Sequence, residues 1–350
     1  MAARIQPPFL VIRLSSLGDI ARLLPALRAL KSGGYPVDLT VEDRFSQLAA
    51  LFPFADRVIA YPRRRPGPPS RHPVAWSRAF ARYLATLKEG RYGAAIDLHG
   101  IARSVLVAKL SGASQTAGFA RGFGKECSHL FYDISVSPAE TPCISRFDRY
   151  AGALRALDLP DPSGEYFSPV LDATVRGEVS SFLSEKGLSP GHFLFSFLGT
   201  SRAQAHKRWP AARFVELARL TMERTGMPTL LGWGPEEVEL VRNLPANTAL
   251  IPIPSWDLPR LLAAIQSSSA FVGADTGAMH LAALMGIPTV AVLGPTDPVL
   301  NRPFGERSRI VRGEGIRRAC AGEGCQHRDC MGKIGAEEVY SKLEALLERS

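Results

Sequence analysis

The stretch from Phe271 to Pro288 reads FVGADTGAMHLAALMGIP. Together with Ala270, its opening is a short apolar run to Val272, the length of a buried strand. Ala278 to Met285 reads as a helix, with Thr276 placed to cap it. A strand that turns straight into a helix aims free backbone N–H groups and the positive end of a helix dipole at one spot. That spot suits a phosphate or pyrophosphate. His280, about one turn inside the helix, puts a further donor beside the same anion. An ordinary strand–helix turn with a solvated histidine fits these residues equally well, so the rest of the chain has to decide.

Working outward, the same strand–helix alternation occurs twice. In the first half, strands are expected at Phe9 to Arg13, Val37 to Val41, Arg57 to Tyr61 and Ala94 to Asp97. Helices are expected at Ile20 to Lys31, Arg44 to Leu51, Val74 to Lys88 and Ile101 to Leu110. A stretch rich in Pro, Asp, Ser and Gly (158–169) reads as a linker. After a helix near Arg176 to Lys186, strands follow at Phe193 to Phe197, Pro228 to Leu231, Thr248 to Ile251, Ala270 to Val272 and Thr289 to Leu293. The last helix is placed at Ala336 to Arg349. This pattern predicts an α/β protein of two Rossmann-like domains, residues 1–160 and 170–335, with a C-terminal helix over 336–350. The two are expected to face each other across a cleft lined by the carboxyl ends of their strands.

The chain has 350 residues, 46% of them hydrophobic, enough for two cores. No apolar run reaches the roughly 18–20 residues of a membrane span, and the run after Met1 to Gln6 is too short for a signal peptide. A cytoplasmic location is expected. Forty-two Lys and Arg against 33 Asp and Glu leave a net charge of +9, which favours an acidic partner: nucleic acid, a nucleotide or an anionic membrane. Five Cys make no disulfide scaffold. Cys320, Cys325 and Cys330, with His327 among them, read either as a zinc set or as a loop of thiols; the spacing is not a standard metal pair.

Polar motifs follow the strands. Arg13 to Ile20 (RLSSLGDI) opens the first helix, and its small residues allow a ligand close to the backbone. Asp19 there is either an exposed general base or an acid that complements the helix dipole. Gly199 to Pro210 (GTSRAQAHKRWP) carries hydroxyls and cations. Lys207 is placed to neutralise a leaving diphosphate, unless this is a solvated basic loop. In Gly232 to Glu237 (GWGPEE), Glu236 and Glu237 read as a ribose contact or as first-turn acids. Gly294 to Pro298 (GPTDP) reads as a turn capped by Thr296 or Asp297. Asp97 to Gly100 (DLHG) ends a strand on the expected acceptor side.

In this order, the motifs resemble those of the family 9 glycosyltransferases, the lipopolysaccharide heptosyltransferases. The matching pieces are R-x-S-S-x-G-D at 13–19, D-L-H-G-x-x-R at 97–103, K-R-W-P at 207–210, G-x-D-T-G-x-M-H-L at 273–281 and G-P-T-D-P at 294–298. The resemblance implies a GT-B fold. It also implies inverting transfer of L-glycero-D-manno-heptose from ADP-heptose to Kdo or heptose of the lipopolysaccharide inner core, without a metal. Carried over by motif, Asp19 is the catalytic base, and Ser16 and Gly18 lie in its donor-side loop. Thr200, Ser201 and Lys207 hold the diphosphate, with Lys207 catalytic in neutralising it. Thr276, Gly277 and His280 form its cradle, Asp275 lies near the sugar, and Glu236 or Glu237 meets the ribose.

His99 and the Arg63, Arg64 and Arg65 run of the Pro/Arg stretch 61–73 are assigned to the acceptor side, the run toward phosphates at a membrane surface. The expected partners are ADP-heptose, a lipid A–Kdo or lipopolysaccharide acceptor and the anionic inner face of the inner membrane, with the enzyme peripheral there and no nucleic acid bound. The loop at Gly199 departs from the family in lacking a Pro-Gly turn. A different nucleotide sugar or acceptor within the family is the first alternative. An NAD-dependent oxidoreductase is a remoter one, disfavoured because SSLGD is not G-x-G-x-x-G. Scattered Arg residues without a basic helix or aromatic ladder disfavour a nucleic-acid binder.

Overall fold

The computed structural model describes residues 5–63, 73–200, 202–245, 249–312 and 330–348. The chain divides into two compact units, Met1–Gly164 and Glu165–Ser350, and the division falls inside the Pro/Asp/Ser/Gly stretch.

Unit one runs β1 (Phe9–Ile12), α1 (Leu17–Ser32), β2 (Val37–Glu42), α2 (Ser46–Leu51), β3 (Arg57–Tyr61), α3 (Pro73–Glu89), β4 (Ala94–Asp97), α4 (Ala102–Leu110) and β5 (Gln115–Phe119). A 3-10 turn (Ser128–Phe131), β6 (Ile134–Val136) and α5 (Arg146–Ala156) complete it. All pairings are parallel, in the order β3-β2-β1-β4-β5-β6. Unit two runs α6 (Ala173–Glu185), β7 (Leu194–Phe197), α7 (Ala211–Thr225), β8 (Thr229–Gly232), α8 (Val238–Arg242), β9 (Leu250–Pro252) and α9 (Leu258–Gln266). It ends with β10 (Ala270–Ala274), α10 (Gly277–Leu284), β11 (Thr289–Val292), β12 (Ser308–Val311) and α11 (Ala336–Leu347). Its sheet order, β9-β8-β7-β10-β11-β12, repeats that of unit one.

Strands covered by helices on both faces need apolar side chains on both faces. That is why β1 (FLVI), β4 (AAID) and β11 (TVAV) are buried at every position. In each unit the order reverses beside the first strand: between β1 and β4, and between β7 and β10. Loops leaving neighbouring strands there diverge to opposite faces, which opens a crevice at the carboxyl edge.

Four elements carry no clear sequence signal. β5 is broken by Gly118, and β6 has three residues. Gly118 is needed for packing, since a Cβ there would lie 2.4 Å from the Tyr132 ring. β12 is a short edge strand. α5 does have a start signal that the periodicity obscures: Ser145 caps it, its Oγ accepting from the Asp148 N–H at 3.1 Å.

The core of unit two is closed by Trp209 of the K-R-W-P motif. It is fully buried, edge-on to Phe214, and its indole N–H donates to the Ile334 carbonyl at 3.0 Å. That bond ties the start of α7 to the segment entering α11, whose Val339, Tyr340 and Leu343 share the same core. Replacing Trp209 by Ala should cost about 3–5 kcal/mol of unfolding free energy in a urea titration. Trp209→Phe should cost less, with the Ile334 carbonyl losing a donor worth about 1–2 kcal/mol. A loss under about 1 kcal/mol for the alanine variant would show that the core closes without this ring.

Candidate active site

The reversal point of unit one is occupied by a carboxylate among guanidiniums. Asp19 lies in the first turn of α1, and its Oδ2 accepts from the Ser16 N–H at 3.3 Å and the Ser16 hydroxyl at 3.1 Å, forming a capping box. Arg13, at the end of β1, pairs with Asp19 at 2.5 Å and donates to the Leu98 carbonyl at 3.1 Å after β4. Arg22, one turn along α1, reaches Oδ1 at 3.0 Å, and Arg146 of α5 stands 3.5 Å from the same oxygen. The expectation of an exposed acid is therefore corrected: the Asp19 side chain is 15% exposed and committed to ion pairs. Burial opposes its charge, but Arg13, Arg22 and Arg146 outweigh burial and hold its pKa far below the usual carboxylate range. Gly18 is buried beside it, and its carbonyl accepts from Arg22.

A second cluster of the same make-up ends β2. Glu42 is buried, with Arg44 at 2.9 Å, Arg103 of α4 at 3.1 Å and Arg63 at 3.7 Å. The two clusters place six guanidiniums against two carboxylates on adjacent strand ends. Arg63 thus joins the site edge, while Arg64 and Arg65 lie outside the described residues. The charge of the units matches this. Residues 1–164 hold 22 Lys and Arg against 13 Asp and Glu, and residues 165–350 hold 20 against 20, so unit one carries the entire surplus.

Asp97 is fully buried and structural in its bonds. It accepts from the His99 N–H at 2.8 Å, the Gly100 N–H at 3.1 Å and the Tyr132 hydroxyl at 2.7 Å, which shapes the turn after β4. His99 rides on that turn. Burial first, then the nearby Arg13, push its pKa down to about 3, so it is neutral at pH 7.

In unit two the reversal point lies between β7 and β10, and one ion pair spans it. Lys207, at the end of the loop after β7, meets Asp275, just after β10, at 2.9 Å. The cation is therefore not a loose side chain but one paired with a nearly buried acid. His280 is fully buried, and its Nε2 lies 3.4 Å from the other Asp275 oxygen, so it orients Asp275 from within α10. Thr276 is the N-cap of α10, its Oγ1 accepting from the Met279 N–H at 3.4 Å, and Gly277 opens the helix. The helix begins one residue earlier than its apolar run suggests, because Gly277 is already helical.

The two glutamates differ in placement. Glu236 is exposed at the strand end, whereas Glu237 is buried. The Glu237 carboxylate pairs with Arg208 and accepts from the Thr200 N–H at 3.2 Å and the Gly234 N–H at 3.0 Å. It binds the loops after β7 and β8 together. The Thr200 hydroxyl makes no hydrogen bond to a described residue, and the same holds for the buried hydroxyl of Thr296, after β11. Asp297, not Thr296, caps the G-P-T-D-P turn, accepting from Val299 N–H at 2.8 Å and Leu300 N–H at 3.3 Å. A buried hydroxyl without a protein partner can be satisfied by water, an ion or a ligand oxygen. Ser201, Cys320, Cys325 and His327 lie outside the described residues, and Cys330 is buried.

Sequence reasoning missed Arg22, Arg146 and Glu42. Arg22 had a signal, the i,i+3 spacing from Asp19 on one helix. Arg146 and Glu42 had none, since only tertiary packing brings them to the cluster.

Two doubly wound parallel sheets, one with a guanidinium cluster at its reversal point and the other with a lysine–aspartate pair beside a helix start, define an α/β protein of two Rossmann-like units. Residues 80–330 match the model of glycosyltransferase family 9 (heptosyltransferase), and the chain belongs to that family. It is a glycosyltransferase, and its two units have the GT-B fold. It is 29% identical to lipopolysaccharide heptosyltransferase 1 of Pseudomonas aeruginosa, over 97% of each chain. Among solved structures it is similar to E. coli heptosyltransferase WaaC with ADP (22% identity, TM-score 0.75, covering 97% of this chain and 99% of that one). It is similar to the same enzyme with ADP-2-deoxy-2-fluoro heptose (23%, TM-score 0.75, 96% and 99%). Family membership sets aside the oxidoreductase and nucleic-acid readings. No described helix is long and apolar enough to cross a membrane.

The depressed pKa values predict acid lability in two windows. His99 takes up its proton near pH 3 when folded and near 6.5 when unfolded, so stability should fall as pH drops below about 6.5. Asp19, held low by its arginines, stabilises the fold above its unfolded value of 3.8, and that contribution is lost on further acidification. Urea titrations of His99→Gln should show a flatter stability profile between about pH 6.5 and 4 than the parent chain. An identical slope in the two proteins would mean that His99 is solvated.

Proposed function

We propose that this chain transfers L-glycero-D-manno-heptose from ADP-heptose to Kdo or heptose of the lipopolysaccharide inner core, with inversion and without a metal. The observation that carries this reading is the Lys207–Asp275 pair across the reversal point of unit two, beside the N-terminus of α10. A diphosphate entering there meets a cation whose present partner is a carboxylate. It also meets the free N–H groups of a helix start and the Thr200 hydroxyl. These groups supply the positive charge that a departing ADP needs. Glu236, exposed at the next strand end, is the residue we assign to the ribose hydroxyls. The names of the relatives, heptosyltransferases solved with ADP and with an ADP-heptose analogue, support the same donor.

In the proposed step the acceptor hydroxyl attacks the anomeric carbon opposite the diphosphate. The carbon–oxygen bond to ADP breaks and the hydroxyl proton passes to Asp19. Arg13, Arg22 and Arg146 make Asp19 a weak base. A weak base suffices when the transition state is oxocarbenium-like, because the hydroxyl becomes acidic only as its new bond forms. The same arginines hold the carboxylate in place and keep it ionised. The guanidinium surplus around Glu42 suits the carboxylate and phosphate groups of a lipid-anchored acceptor, which sets the reaction at an anionic membrane surface. A family relative using another nucleotide sugar is the second reading. The donor test below separates it.

Calorimetric titration should show ADP binding well above UDP or NAD. Preference for UDP would keep the glycosyltransferase and change the donor. Asp19→Asn should lose roughly 10²-fold or more in turnover while binding ADP as before. Near-normal turnover would remove Asp19 as the base. Lys207→Ala should weaken ADP binding about tenfold or more, the loss of a charge-assisted contact. Unchanged affinity would leave Lys207 a partner of Asp275 only.

A further inference from the structure

The outward face of α4 is unlike that of a solvated helix. Its inward residues, Ser104, Val105, Val107 and Ala108, are buried as a core-facing stripe requires. Its exposed residues are Ala102, Arg103, Leu106, Lys109 and Leu110, so two leucines stand beside two cations on the side a solvated helix keeps polar. Leu106 is 52% exposed and Leu110 36%. One turn apart, they lie on one face.

The 3-10 turn Ser128–Phe131 packs beside α4. The segment before it is fixed at the start of α4, where the Lys125 N–H donates to the Gly100 carbonyl at 2.7 Å and Glu126 accepts from the Ala102 N–H at 2.9 Å. The segment after it is fixed at the end of α4, where Lys109 pairs with Asp133 at 2.9 Å. Tyr132 turns inward to Asp97. Between these anchors, Leu130 is 69% exposed and Phe131 55%. Among the described residues of unit one, five large apolar side chains stand exposed, and four of them are here; Val74 is the fifth. Exposed Arg121 and Lys125 lie in the approach to the turn.

We propose that this face, Leu106 and Leu110 of α4 with Leu130 and Phe131 of the adjoining turn, docks on an anionic phospholipid bilayer. Apolar side chains interleaved with cations are the pattern of a surface that lies in a membrane interface. Unit one carries the whole formal charge surplus of the chain, so an anionic bilayer favours this unit. A second copy would bring the same surplus to the same face and be repelled. The docking would also serve the reaction. Arg103, in the first turn of α4, is one of the guanidiniums on Glu42, so the membrane face and the basic crevice share a helix. This consequence rests on the proposed lipid-anchored acceptor; the docking itself does not.

The test is flotation of the full-length chain with vesicles of phosphatidylglycerol and phosphatidylethanolamine, against phosphatidylcholine alone. The parent chain should float with the anionic vesicles, less so as salt rises, and stay behind with the neutral ones. Leu130→Ser/Phe131→Ser and, separately, Leu106→Gln/Leu110→Gln should each lower partitioning about tenfold or more, with unchanged melting temperature and ADP binding. Parent-like flotation of both variants, or no flotation of the parent chain, would overturn the proposal. So would a parent dimer in sedimentation that both variants break into monomers, since the face would then be covered by a second copy. Vesicle binding requires neither donor nor acceptor. A chain that floats but does not use ADP-heptose would therefore refute the proposed function and leave the surface standing.

Discussion

Parallel pairing is the constraint on which everything else depends. A parallel strand can be followed by another only through a crossover, so every loop that leaves a strand at its carboxyl end lies on the same edge of the sheet. Where the order reverses, the loops after two neighbouring strands part and leave a crevice. Both units use the same order, and both place their charged clusters at that point: Asp19 and His99 after β1 and β4, Lys207 and Asp275 after β7 and β10. Residues far apart in sequence become neighbours there because the topology leaves them nowhere else to go.

The two crevices differ in electrostatic character. In unit one Asp19 and Glu42 are each outnumbered by their guanidiniums, so each cluster is held together internally and still carries surplus positive charge. In unit two the charges are matched, Lys207 with Asp275 and Arg208 with Glu237, and binding an anion means exchanging a partner. The first arrangement suits a ligand with several fixed negative groups. Glu237 joins the loops after β7 and β8, so the cradle is shaped before a ligand enters.

The strands with apolar runs, β1, β4 and β7, were legible to within a residue, because burial on both faces leaves a continuous hydrophobic signature. β5, β6 and β12 were not legible: a Gly-containing strand, a three-residue strand and an edge strand owe their pairing to neighbours. In the site, Thr276 capped its helix as its position implied. The environment of Asp19 was not legible. A carboxylate at a helix start looks exposed until Arg146 arrives from another helix to enclose it.

Local periodicity and motifs in a fixed order are enough to give the fold class, the family and the residue types at each strand end. What each charge does depends on packing. It paired Lys207 with Asp275, took up Glu237 in holding two loops together, set Glu42 among three arginines and left Leu130 and Phe131 facing outward. The physical reason is that a side chain's charge, basicity and exposure depend on neighbours within a few ångströms. In this chain many of those neighbours, such as Asp275 for Lys207 and Thr200 for Glu237, are tens of residues away along the sequence.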